Sequence, residues 1–510
     1  MPSPSLRAQV TVPPMQVLDM TQSHGFAELI FGLTLLATFF AALLARRDAA
    51  LDHGDALAGR RLNRWLVGLS AGTTANSGFI VTAAVGLGYA YGLQWVLLPI
   101  SWLLGDLVFW YLFPARINAL GHESKATTLS ELLRYGLTGP LASSVAVLSA
   151  IVILVCLAGY TSAQWLAGQK FLAGAFGMPD VMALALFALI IIAYSSIGGF
   201  RGSVYTDTIQ AFIRIIGTII AVAAVAWFAF TDPATFSHNI SMAGNLLNPF
   251  PGGTVATVCG FVFGFAAAAI GFGLGQPQIL SRYLAGSSPE ETRSAWWIYI
   301  GFVQFTWIAM TVFGVVLRGV MPGIADPETG LSVFFQQNLG AVATGIIAAD
   351  VFATIASTSN GLLVAMAQAA NYDLLPKTVG GRPVRVPLAL TTLAIGALTM
   401  LVSMLIHGTV VTMALSSVSM MGAGLAGAVM IKVMKWRHTG ASLLSAICIG
   451  LLSAIVWKYS GMGAFLNESG VGMASALLTN WLVVSCQFHG EKARGQAIGV
   501  TRDKTTHVGH

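Results

Sequence analysis

The chain reads as an all-α integral membrane protein of about thirteen transmembrane helices, built from two inverted five-helix repeats with broken helices. Three observations lead there. Hydrophobic residues make up 56% of the 510 and charged residues only 9%, with mean hydropathy +0.76, whereas a soluble domain carries about 25% charged residues. The membrane-length segment Leu66–Gly92 has a polar, glycine-punctuated centre, Ser70-Ala71-Gly72-Thr73-Thr74-Ala75-Asn76-Ser77-Gly78. Such a centre is tolerated in a bilayer only beside a cavity or a bound ligand, because backbone in hydrocarbon must find its hydrogen bonds internally. A second weak segment, Gly260–Gly275, comes about 195 residues later, where the partner helix of an inverted repeat belongs.

The spans, each near the ~20 residues a bilayer requires, are 25–45, 65–91, 93–115, 141–170, 179–197, 204–231, 254–277, 295–318, 337–369, 386–407, 409–431, 440–458 and 470–487. The 337–369 span is long enough to hold a short extra helix. Residues 1–24 form an outer segment with no charged n-region or cleavage site of a signal peptide. The transporter-sized domain runs from 25 to 487, with repeats at about 65–231 and 254–431, and a tail at 488–510. Basic residues fix the orientation. With the N-terminus outside, Arg46, Arg47, Arg60, Arg61, Arg64, Arg116, Arg134, Arg201, Arg282 and Lys432 are inside, while the outer side keeps Arg7, Lys170, Arg318 and Lys458. The excess of basic residues marks the cytoplasmic face, so the C-terminus is cytoplasmic and the net charge of +6 reflects loop bias. Cys156, Cys259, Cys448 and Cys486 lie in apolar segments without paired spacing and read as small core residues.

Four acids lie inside or near the apolar spans: Glu28, Asp106, Asp207 and Asp350. Burying a carboxylate in a membrane is costly, so an intramembrane one is a functional hypothesis by default; Glu28 and Asp106, nearer span ends or outside recognisable motifs, are assigned no role. Asp350 either lines an ion path or faces the outer vestibule, and Arg214 is expected to snorkel to the inner surface. Ser357 and Thr358 place two hydroxyls on an otherwise apolar helix. Taken alone, each hydroxyl would be expected to bond back to its own helix carbonyl.

Several stretches together resemble the sodium:solute symporter family, most closely its sodium/proline branch. Thr127-Thr128-Leu129-Ser130-Glu131-Leu132-Leu133-Arg134-Tyr135-Gly136 looks like the family's inner-loop signature. Gly198-Gly199-Phe200-Arg201 through Thr206-Asp207-Thr208-Ile209-Gln210 looks like its glycine pair and Thr-Asp-x-x-Gln motif. Gly275-Gln276-Pro277-Gln278 to Arg282-Tyr283 resembles its loop after the second broken helix, and Ser357-Thr358 with Leu362, Leu363 and Asp373 its ion-site helix. Order and spacing hold from about residue 25 to 435.

The resemblance implies a leucine-transporter-type fold and sodium-coupled import of a small organic solute, zwitterionic or anionic, of amino-acid or carboxylate type. It implies sodium as the coupling ion, no organic cofactor, no nucleic-acid partner, and residence in the inner (plasma) membrane. Sodium, a hard cation that prefers oxygen ligands, would lie between the Ser357 and Thr358 hydroxyls and the carbonyls of Thr354, Thr73 and Asn76. Asn360 and Gly361 stand where an additional sodium site of some members needs hydroxyls, which favours one sodium. Asp207 is assigned ion release or gating, with pairing to Arg201 or a helix cap as the structural alternative. For the solute, Ser77, Gly78, Phe79 and Tyr160 match pocket positions, and Ala269 and Gly273 stand where the proline branch has two aromatics, which enlarges the pocket, removes stacking for a small ring and speaks against proline. A proton-coupled relative and a transporter-like sensor remain the alternatives. An enzyme is disfavoured, since His24, His53, His122, His238, His407, His438 and His489 lie in loops or at span ends and no paired catalytic residues occur within the spans.

Overall fold

The computed structural model describes residues 20–51, 57–250, 254–375, 378–379, 382–383, 386–405 and 408–503. Helix α1 spans Met20–Leu51. The polar-centred segment is three helices in line: α2 Arg64–Ala75, α3 Gly78–Val81 and α4 Ala83–Tyr91. Asn63 caps α2 by accepting from the Leu66 N–H. At the break Asn76 (φ −83°, ψ 70°) leaves the helix, and Ser77 turns extended and caps α3 through the Phe79 N–H at 3.2 Å. Short polar side chains offer the backbone an alternative to the helical ladder, which is why this stretch opens where it does.

Helices α5 Leu97–Leu112, α6 Pro140–Phe176 and α7 Asp180–Thr231 complete the first repeat. A straight helix of 52 residues would run about 78 Å, far beyond a bilayer's ~30 Å. Gly199 (φ 56°, ψ −151°) divides α7 into the two spans expected from its sequence. The second repeat holds α8 Val255–Gly275, α9 Pro277–Leu284, α10 Trp296–Val320, α11 Ala341–Ala369, α12 Leu388–Leu405 and α13 Val410–Met421. A π-turn at Gly422–Ala426 continues α13 into Gly427–Val433. Two further helices, α14 Gly440–Tyr459 and α15 Glu468–Asp503, pack on each other. The 337–369 span holds no extra helix, since α11 runs unbroken from Ala341; a short helix, Gly330–Asn338, precedes it instead, and a two-residue hairpin pairs Thr378–Val379 with Arg382–Pro383.

Ten helical stretches among the described residues are long and apolar enough to cross a membrane, where the sequence reading counts thirteen spans. The difference lies at three places. Gly78–Leu112 and Asp180–Thr231 each run on through a break, and Leu29–Ala45 falls short of the length of the others. The two repeats interlock: α8 packs on α5, while α7 packs on α11.

Two expectations are corrected. The segment Gly260–Gly275 is an unbroken helix, and the interruption falls at Gln276 (φ −90°, ψ 106°), pushed extended by Pro277. The glycines serve contact instead: a Cβ on Gly273 would lie 2.5 Å from the Phe109 ring, and one on Gly271 the same distance from the Ser469 hydroxyl. Small residues in membrane helices let neighbours approach closely. The cysteines are not core residues either. Cys259, Cys448 and Cys486 are exposed on the apolar exterior and Cys156 is half-buried, because hydropathy does not separate a lipid-facing position from a core one.

Candidate functional site

The end of α2, the middle of α11 and the centre of α7 meet in a buried polar junction. Asp207 is fully buried at its hub. Its Oδ2 accepts from the Ser70 hydroxyl at 2.7 Å, the Thr74 hydroxyl at 3.2 Å and Arg282 Nη2 at 3.1 Å. Its Oδ1 accepts from the Ser357 hydroxyl at 2.7 Å. Arg282, on α9, also donates to Ser70, to the Gln278 carbonyl and to Ser203, and lies 5.2 Å from the centre of the Phe200 ring. The partner of Asp207 is therefore Arg282, whereas Arg201 donates to the Ala58 carbonyl. Arg282 belongs to no loop: it is 1% exposed, drawn inward by the carboxylate.

Thr358 donates to the Thr74 carbonyl at 2.8 Å, tying α11 directly to the last turn of α2. Carbonyls at a helix C-terminus lack intrahelical partners and carry the negative end of the helix dipole, so cation-favouring oxygens collect beside Ser357 and Thr358. The Thr73 and Thr354 hydroxyls bond back to the Leu69 and Asp350 carbonyls at 2.6 and 2.9 Å. The Asn76 side chain turns away to Thr306 on α10. Thr73, Asn76, Thr354, Ser357 and Thr358 are thus gathered within this junction and its flanks, all buried. Asn360 donates weakly to Thr206, and a Cβ on Gly361 would meet Thr74 at 2.8 Å.

Two turns outward on α11, Asp350 forms a fully buried ion pair with Arg214 of α7 at 2.6 Å. This corrects the expectation that Arg214 snorkels to the inner surface, and of the two readings left open for Asp350, an ion path or the outer vestibule, its burial removes the second. Gly217 makes the room, since a Cβ there would lie 2.4 Å from the Asp350 carboxyl carbon. The side chain of Glu28 lies outside the described residues.

Beside the first break is a cavity of about 50 Å³, space for several waters by the ~10–15 Å³ that one requires. Ser77, Phe79 and Tyr160 line it. Trp102, Phe272 and Trp307 supply the rest of an aromatic wall: Trp102 lies 5.5 Å from both Phe272 and Trp307, and Phe79 5.8 Å from Trp307. Gly78, Ala269 and Gly273 are not brought to its surface. Gly78 donates its N–H to Gln164 at 2.9 Å and faces α6. Ala269 faces Gly105 of α5, and Gly273 faces Phe109. Sequence reasoning missed Trp102, Phe272, Tyr299 and Trp307. Phe272 was legible as the residue between Ala269 and Gly273 on a continuous helix; Trp102 and Trp307 carried no motif. Among the described residues no group of His, Cys, Asp or Glu could hold a metal of the zinc type.

Comparison with known proteins agrees along most of the chain. The model of the sodium:solute symporter family matches residues 56–450. The osmoregulated proline transporter OpuE of Bacillus subtilis is 24% identical over 80% of this chain and 83% of its own length. The sodium/proline symporter of Escherichia coli is 26% identical over 86% of this chain and 87% of its own. A solved sodium-coupled sialic acid symporter in a substrate-bound outward-open state superposes with TM-score 0.75 at 17% identity, covering 90% of this chain and 98% of that one. At that identity it shows the fold alone, a leucine-transporter-type inverted repeat.

Proposed function

The chain belongs to the sodium:solute symporter family, and from that membership we propose that it imports a small zwitterionic or anionic solute by alternating access. Membership makes it a multi-span membrane transporter coupled to sodium, and not an enzyme. The observation that carries the rest is the junction of Thr358 with the Thr74 carbonyl, one turn from the break whose next residue, Ser77, lines the aromatic cavity. An ion held by Ser357, Thr358 and the carbonyls of Thr73, Asn76 and Thr354 ties α2 to α11. It stabilises the outward-facing state in which Ser77, Phe79 and Tyr160 accept the solute. Asp207 then serves release, since its carboxylate already holds the Ser357 hydroxyl.

The relatives named as proline transporters put proline first among candidate solutes. The rings of Phe79, Trp102, Phe272 and Trp307 suit a small ring or aliphatic body, and the N-terminus of α3 at Ser77–Phe79 suits its carboxylate. The proposed orientation, N-terminus outside, rests on Arg60 and Arg64 meeting Gly121, Leu284 and Glu291 at one end. Lys170 and Lys458 pair with Asp326, Glu328 and Glu468 at the other.

The test is thermal stabilisation of the purified protein by proline, other amino acids, carboxylates and sugars, each with sodium and with choline. A solute that stabilises only with sodium names the substrate and supports the coupling. Stabilisation equal in choline would remove sodium from the mechanism.

A further inference from the structure

Three acids, Asp106, Asp207 and Asp350, lie buried within the spans, and two are neutralised by arginines: Asp207 by Arg282 and Asp350 by Arg214. Asp106 is 2% exposed near the middle of α5, and among the described residues no Lys, Arg or His forms an ion pair with it. Its Oδ2 accepts no hydrogen bond. A lone carboxylate in hydrocarbon is prohibitively costly, so a charge that the chain does not supply must neutralise it.

Its surroundings are those of a site rather than a packing accident. Trp102, Asp106 and Trp110 recur at four-residue spacing on one face of α5. Trp102 lines the aromatic cavity, which puts the Asp106 Cα about one turn, ~6 Å, deeper. Trp110 packs on Tyr283 of α9 and Tyr299 of α10, with ring centres 5.3 and 5.2 Å away. Tyr299 also borders the cavity. The Trp110 Nε1 and the Tyr283 hydroxyl are buried without a hydrogen-bond partner, as is Asp106 Oδ2. The indole N–H can only donate, so the oxygens this buried cluster leaves open to a cation are those of Asp106 and Tyr283.

We propose that Asp106 is an exchangeable monovalent-cation site, taking up a proton or a sodium ion next to the solute cavity as a second coupling site. Its existence rests on the burial and the orphaned groups alone; only its role in coupling rests on reading the cavity as the solute site. The titratable groups facing it are Tyr283 and Tyr299. Helix α8 brings Ala266 and Ala269 against the neighbouring Gly105 and no titratable side chain. The charged residues next along the chain are engaged elsewhere: Arg116 with the Leu112 carbonyl, His122 with the Gly286 carbonyl, Glu123 with Lys435. Arg282 is held by Asp207.

The test uses the full-length protein in lipid nanodiscs with protons and sodium as the only probes. Thermal midpoint and tryptophan emission, to which Trp102 and Trp110 contribute, are followed against pH in choline and against sodium at several pH values. For a proton site, the sodium-free protein changes midpoint with pH, and Asp106→Asn removes that change while keeping its sodium response. For a sodium site, the wild type has a sodium component that weakens about tenfold per pH unit below the carboxyl's own titration, and Asp106→Asn removes that component. Ser357→Ala leaves either Asp106 signal in place, so failure of the family ion site and failure of this one are distinguishable. An Asp106→Asn protein with wild-type responses to both ions overturns the proposal. Should neutral variants fail to fold, Asp106→Glu decides: a retained proton or sodium response supports the site, and its loss in a folded protein makes the carboxyl structural and overturns it.

Discussion

The two interruptions of this pseudo-symmetric chain are made differently and deliver different chemistry. At the first, Asn76 leaves the helix and Ser77 caps the next one through its own side chain, and the product is backbone: carbonyls at the end of α2 and N–H groups at the start of α3. At the second, Pro277 alone forces Gln276 out of the helix, and the helix beyond it carries a fixed cation, Arg282, reaching back to Ser70 and Asp207 of the first half. Repeat symmetry sets where a break falls, while side chains decide what it offers. One half leaves carbonyl oxygens at a helix end; the other contributes an immobile charge that neutralises the carboxylate beside them.

The strongest way to break this division is Arg282→Met. Removing one partner of a buried pair leaves an uncompensated charge, at a cost of about 3–5 kcal/mol. The expected result is a large loss of folded protein, read as detergent-extracted yield and thermal midpoint. The double variant Arg282→Met, Asp207→Leu should recover most of that stability yet remain inactive in transport. A double variant no more stable than the single would mean that Arg282 matters for reasons other than Asp207. Next in size is Ser357→Ala, which removes a hydrogen bond to a charged group, worth about 1.5–3 kcal/mol. Sodium titrations should shift by about tenfold or more, with folding intact. Unchanged sodium dependence would detach Ser357 from the ion.

Much of this was legible in the sequence, for identifiable reasons. The first break was readable because Ser70, Thr73, Thr74, Asn76 and Ser77 are the wrong residues for a lipid-spanning helix. Gly199 was readable as the divide in α7 because spans on either side were each of bilayer length. The glycines of Gly260–Gly275 read as helix breakers and point to the wrong place for the second break, which falls at Gln276. In this helix they are contact points, and Gln276-Pro277 was the proper signal. The ion pairs of Arg214 and Arg282 were illegible because an arginine near a span end carries no mark of which way it faces; only the opposing Asp350 and Asp207 decide it. The aromatic wall was half-read: Tyr160 and Phe79 came with motifs, whereas Trp102 and Trp307 are ordinary membrane residues until the fold brings them within 5.5 Å.

A third variant tests the packing side of the comparison. Gly273→Ala places a methyl about 2.5 Å from the Phe109 ring, closer than real side chains approach. Overpacking of this kind costs about 1–3 kcal/mol, so the thermal midpoint should fall while the sodium midpoint stays put. A shift in sodium affinity without loss of stability would return Gly273 to the site.

The smallest expected effect sharpens the comparison most. Tyr160 and Ser77, the residue at the first break, line the cavity together. Tyr160→Phe keeps the ring and removes the hydroxyl from the cavity wall; one hydrogen bond to a solute there is worth about 0.5–1.5 kcal/mol, a two- to tenfold change in an equilibrium. If the first interruption joins solute to ion, that change should appear in the affinity for the solute found by thermal shift at saturating sodium. Sodium affinity without solute should stay within error, because Tyr160 lines the cavity with Ser77 and is not part of the Thr74–Thr358 joint. Equal weakening of both would mean that the hydroxyl sets the shape of the whole break, and the division between an ion side and a solute side at Asn76–Ser77 would have to be given up.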